Sequence, residues 1–215
     1  MPFAPIPRQA GVSSWFDTRA GQALLASEYT GILNGVRGRP AQPWLWVGPP
    51  TPDQPDLPAR GIQLNPAGGG RFDGDLACRL PWPLVAESVQ SIVLQHVPTE
   101  GAEALLAECE RILMPGGRLW LYALNPFSPY RLRWRRHGLR PLQPLRWRAL
   151  VQAAGLRCLG QSGYLGPVWR AEADGRTEVA GPAPWRAVCV TEAEKRVVAP
   201  VGPKPAWRRR PVATI

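Results

Sequence analysis

The sequence predicts an α/β fold on a mostly parallel central sheet, with helices on both faces, and three observations lead there. A run rich in β-branched residues, Ser88–Gln95, is followed by a helically spaced segment, Glu100–Leu113. Pro115-Gly116-Gly117 then separates that segment from a second apolar run, Arg118–Leu124. Strand, helix, strand is a crossover, the connection that parallel neighbours need. At 215 residues the chain is long enough for one well-buried core and short for two.

The other elements follow in chain order. Residues 1–14 read as a loose leader broken by prolines. Asp17 or Thr18 can cap a helix whose stripe runs through Leu24, Leu25, Glu28, Tyr29, Ile32, Leu33 and Val36, with Gly35 and Gly38-Arg39-Pro40 expected to stop it. Trp44–Gly48 is a short apolar run bounded by prolines, read as a buried strand. Gly61–Asn65 is a weaker strand, and residues 66–75, mostly Gly, Asp and Arg, read as a loop. Leu80-Pro81-Trp82 is a bend, and Thr99 is placed to cap the crossover helix. Beyond Asn125-Pro126, a helix fits Pro144–Ala154 with Gly155 at its end, a strand fits Leu156–Gln161, and Trp185–Val190 is a late strand. A domain over 15–194 results, followed by a basic Pro-rich tail at 195–215 with too little apolar surface to order itself.

Composition narrows the function classes. Four cysteines lie far apart with no C-x-x-C pair, so they read as buried free thiols, and no metal site is indicated. The first residues lack the apolar core of a secretion signal, and no apolar run approaches the ~18 residues of a membrane span, so a cytoplasmic location is expected. The net charge of +10 arises from 26 Lys+Arg against 16 Asp+Glu, and favours anionic partners. From Arg111 to Ala171 there is no acid at all. Arg131, Arg133, Arg135, Arg136, Arg140, Arg146 and Arg148 cluster there with Trp134 and Trp147. Arginine interleaved with aromatics can hold phosphates and stack bases, and it also suits an anionic membrane surface; a solvated arm over a cleft is the plain alternative.

Leu80-Pro81-Trp82, then Ser88-Val89-x-Ser91-Ile92-Val93-Leu94-x-His96-Val97, then Leu106-x-Glu108-x-x-Arg111-Ile112-Leu113-x-Pro115-Gly116-Gly117 resembles the type 11 group of class I S-adenosylmethionine-dependent methyltransferases. The continuation Leu124-Asn125-Pro126-Phe127-Ser128 is similar to a small bacterial branch of that group. The resemblance implies a Rossmann-like class I methyltransferase fold, S-adenosylmethionine as cofactor and methyl transfer to an acceptor it does not specify. It implies that Gly48, Asn65, Asp75 and His96 frame the cofactor. Asn125, Arg131 and Arg133, on the arm at 125–148, would meet the substrate. No catalytic residue is assigned.

The sequence departs from that pattern after the first strand. A nucleotide-type cofactor needs glycines there, so that backbone N–H groups can approach it. Here the stretch is Trp46-Val47-Gly48-Pro49-Pro50-Thr51-Pro52, with one glycine and three residues that have no N–H. Trp46 stands where an acid is expected. Gly48 is then either a remnant of the loop or a strand terminator, Asn65 a weak replacement for a ribose-binding acid, and Asp75 an adenine contact or a solvated loop acid. His96 lines the pocket or handles a proton. A methyltransferase-fold protein that binds nucleic acid, anionic lipid or a protein through its arginines is the second expectation.

Overall fold

The computed structural model describes residues 13–38, 42–50, 57–168 and 183–196; the leader at 1–12 and the tail from 197 onward lie outside the described residues. A first turn of helix, α1 (Ser13–Phe16), leads into α2 (Arg19–Arg37). Thr18 caps α2 by accepting the Gly21 N–H at 3.1 Å. Gly35 does not stop this helix. It lies inside it, where an added Cβ would come within 3.3 Å of the Trp120 ring, so the glycine lets the helix lie close to the sheet.

The strands are β1 (Trp44–Val47), β2 (Gly61–Gly68), β3 (Arg71–Gly74), β4 (Cys78–Arg79), β5 (Val89–Gln95), β6 (Leu113–Leu124), β7 (Leu156–Leu165) and β8 (Val188–Lys195). Between them stand α3 (Ala102–Ile112), α4 (Arg131–Arg136) and α5 (Pro144–Ala153). They form one eight-stranded sheet in the order β4-β3-β2-β1-β5-β6-β8-β7. The expected crossover is present, with β5 and β6 parallel and α3 between them. The expectation of a mostly parallel sheet needs correction. The pairs β1–β2, β1–β5 and β5–β6 are parallel, whereas β2–β3, β3–β4, β6–β8 and β7–β8 are antiparallel.

One local correction accounts for part of that difference. Residues 66–75 are a hairpin rather than a loop, because Gly69 and Gly70 take positive φ (58° and 71°) and turn β2 back into β3. The late strand starts at Val188 rather than Trp185, which lies in a single 3-10 turn over Ala183–Trp185. Smaller differences are local. Gly101, not Thr99, caps α3 in a left-handed conformation, and the chain enters β6 directly at Leu113. Lys195, assigned above to the tail, closes β8 and lies 3.3 and 3.2 Å from Glu87 and Glu110.

Period-2 alternation divides the sheet's side chains between two layers. Leu45, Val47, Ile92, Leu94, Leu119 and Leu121 face α3 and α5. Trp44, Trp46, Val93, Tyr122 and Leu124 face α1, α2 and α4. Helices therefore cover both faces. Glu108 and Arg111 fasten the bend at Trp82: Glu108 Oε1 accepts the Trp82 N–H at 2.7 Å, and Arg111 donates to the Leu84 carbonyl at 2.9 Å.

Candidate functional site

Open α/β sheets place ligands beyond the carboxyl ends of their strands, where the strand order reverses. In this chain that point lies between β1 and β5, with β2 on the far side of β1. Gly48 follows β1 and His96 follows β5 there, with Asn65 in β2 one residue beyond the Leu64 level. His96 takes a left-handed backbone (φ 49°) as its N–H bonds the Tyr122 carbonyl at 2.8 Å.

A buried polar network fills this corner. Glu28 reaches in from α2 with no exposed surface. Its Oε1 accepts from His96 Nε2 at 2.8 Å and its Oε2 from Gln95 Nε2 at 2.6 Å, while Gln95 Oε1 accepts the Trp46 Nε1–H at 3.1 Å. A carboxylate is tolerated in such a place only when donors compensate for lost water, and here both oxygens are used. Burial, and then the nearby Glu28, push the Tyr122 phenol up from its ordinary range. Facing a carboxylate, Nε2 is the donor, which leaves Nδ1 as the ring nitrogen that Glu28 does not engage. That atom is buried without a partner. Phe16 stacks on the ring, with centroids 4.9 Å apart.

The residues expected at the site separate into groups. Gly48 and His96 come together at the carboxyl edge, with Asn65 beside them in β2. Asp75 does not join them. The hairpin carries it down the outer side of β2, where its Oδ2 accepts the Gln63 N–H at 2.8 Å and its own N–H bonds the Gln63 carbonyl. Asn125 is fully buried. Its amide donates to the carbonyls of Pro184 and Arg186 at 2.7 and 2.8 Å, and its Oδ1 accepts the Phe127 N–H at 3.1 Å. Arg131 is exposed and lines an open depression of about 320 Å³ with Phe127, Ser128, Pro129 and Trp185. The Arg133 guanidinium lies over the Tyr130 ring at 5.4 Å.

Trp134 and Trp147, expected to interleave with the arginines at the surface, are core residues, 0% and 3% exposed. Both sit on the inward stripe of a short amphipathic helix, which a count of arginines and tryptophans does not reveal. Glu28, Gln95 and Trp185 stand in the sequence as members of a helix or strand, with no sign of a place at a site. Glu28 left one signal: an acid in the middle of an apolar stripe. All four cysteines are free, and burial raises their thiols; Cys109 and Cys189 are the buried ones.

No family model matches this sequence, and no curated protein matches it. Solved structures do. A S-adenosylmethionine-dependent methyltransferase from Archaeoglobus fulgidus aligns at TM-score 0.55 and 10% identity, over 84% of this chain and 97% of that one. The [4+2]-cyclase SpnF aligns at TM-score 0.55 and 14% identity, over 80% and 82%. This chain has the class I methyltransferase fold. A Mesorhizobium loti methyltransferase aligns to the same fold at TM-score 0.50 and 10% identity, over 83% and 99%. The cyclase among these neighbours is a reminder that the methyltransferase fold does not by itself fix a reaction.

The cofactor that the methyltransferase fold implies meets a poor donor set. The Gly48 N–H is bonded to the Leu64 carbonyl at 3.0 Å, and Pro49 and Pro50 have none to offer. A Cβ on Gly48 would meet Gln95 Cβ at 2.9 Å and Trp46 Nε1 at 3.1 Å, so the space beside this glycine holds the protein's own side chains. The described residues do not fit S-adenosylmethionine in the glycine-loop manner, and residues 51–56 lie outside them.

Proposed function

We propose that this chain is an S-adenosylmethionine-dependent methyltransferase acting on an unidentified acceptor, and that it belongs to the type 11 group and its small bacterial branch. The fold and the Leu80–Pro126 run support this reading. The observation that carries it at the site is the Glu28–His96 pair, set at the carboxyl edge beside Gly48 with one ring nitrogen unfilled. Methyl transfer from a sulfonium depends mainly on alignment, so an elaborate catalytic constellation is not required. Because the glycine-loop donors are missing, no step is assigned through the cofactor. The protein's own contribution is narrower: Glu28 holds the buried His96 in place, and the pair forms part of the wall at this edge.

Calorimetry with S-adenosylmethionine and S-adenosylhomocysteine tests the reading. Binding of either in the micromolar to low millimolar range is expected. Absence of binding at millimolar concentration overturns it. The filled space beside Gly48 favours a second reading, in which the fold persists as a binding scaffold without the cofactor. The same titration decides between the two.

A further inference from the structure

The turn Asn125-Pro126-Phe127-Ser128 is built around one buried amide. Asn125 bonds the backbone on both sides of Trp185 and also receives the Phe127 N–H. Ser128 is likewise fully buried and its Oγ accepts the Tyr130 N–H at 3.3 Å. All this internal bonding holds two large aromatic side chains in water: Phe127 is 54% exposed and Trp185 55%. Two exposed rings beside one depression offer faces on which a partner ring can stack. They border the depression that Arg131 also lines, so ring faces and a fixed positive charge meet at one place.

From this juxtaposition we propose that the depression bounded by Phe127, Trp185 and Arg131 is a binding site for single-stranded nucleic acid. Its unstacked bases lie on the two rings and its phosphates lie along the exposed arginines of α4, Arg131, Arg133, Arg135 and Arg136. Two ring faces bordering one open depression suit planar bases, which stack on aromatic side chains. A duplex keeps its base faces stacked and offers the rings nothing. The turn leads straight into α4, whose exposed Arg131, Arg133, Arg135 and Arg136 supply positive charge beside the rings for a phosphate chain. The inference stands whether or not a methyl donor binds at the His96 corner.

The test uses the full chain and a fluorescein-labelled 20-nucleotide single strand of mixed sequence, its duplex, and phosphatidylcholine vesicles with and without phosphatidylserine. Single-strand binding that weakens steeply between 50 and 200 mM salt is expected, with the duplex weaker. Trp185→Ala and Phe127→Ala should each weaken single-strand binding about 5- to 100-fold at fixed salt and leave the salt slope unchanged. Arg131→Ala should reduce the slope by about one phosphate contact. Thermal unfolding of each variant confirms that the fold is kept. Three results would overturn the site: no single-strand binding, affinity that ignores both aromatic substitutions, or binding confined to the anionic vesicles.

Discussion

Asn125 holds Trp185 from behind, through the carbonyls of Pro184 and Arg186 on either side of it, at 2.7 and 2.8 Å. A buried amide with three backbone partners is difficult to replace. Removing it leaves two carbonyls and the Phe127 N–H without their partner.

Asn125→Ala should therefore destabilise the protein by about 2–3 kcal/mol, the cost of stranding buried polar groups. Urea unfolding measures this directly. Asn125→Asp should be nearly as damaging, because a carboxylate cannot donate to either carbonyl.

Glu28 closes the opposite corner. Glu28→Ala strands Gln95 Nε2 and His96 Nε2 in the core, and a loss of about 3 kcal/mol is expected. Glu28→Gln keeps one acceptor and should cost less, a ranking that equilibrium denaturation can check.

Gly48 separates the structural from the cofactor explanation of one residue. Gly48→Ala drives a Cβ to 2.9 Å from Gln95 Cβ, and a loss of about 1–3 kcal/mol is expected from overpacking. A thermal melt shows it. An unchanged melt with weakened cofactor binding would show that the glycine is kept for a ligand instead.

Glu108 sets an acid-side limit. Hydrogen bonding from Arg111 holds its carboxyl below the ordinary range, with the Trp82 N–H adding to the effect. A depressed folded pKa contributes stability that is present above the unfolded value and lost as pH falls through the folded one. The stability gap between wild type and Glu108→Gln should be full at neutral pH and narrow as pH falls below about 4. Denaturation at several pH values checks the sign.

The crossover was legible because each of its parts carries its own local signal: β-branched residues in Ser88–Gln95, helical spacing in α3, Pro-Gly-Gly before Arg118. The β2–β3 hairpin was not, since its turn is Gly69-Gly70 within a glycine run that reads as a loop, and its strands have few apolar residues to alternate. The places of Gly48 and His96 at the carboxyl ends of β1 and β5 were legible because each directly follows a strand. The place of Asp75 beside Gln63 could not be read, because it depends on the direction of β3, which pairing decides and local sequence does not. Glu28 could not be linked to His96 from sequence, since 68 residues separate them. Trp185 was hidden by its own hydrophobicity, which reads as strand.

The place of β8 between β6 and β7 has a consequence for biosynthesis. On a chain emerging from the ribosome, β6 and β7 are both complete while the strand that joins them is still to come. Until Val188–Lys195 arrives, both present open hydrogen-bonding edges that a neighbouring nascent chain can capture. A stop codon or protease cut just ahead of Val188 should thus yield inclusion bodies rather than a smaller stable domain.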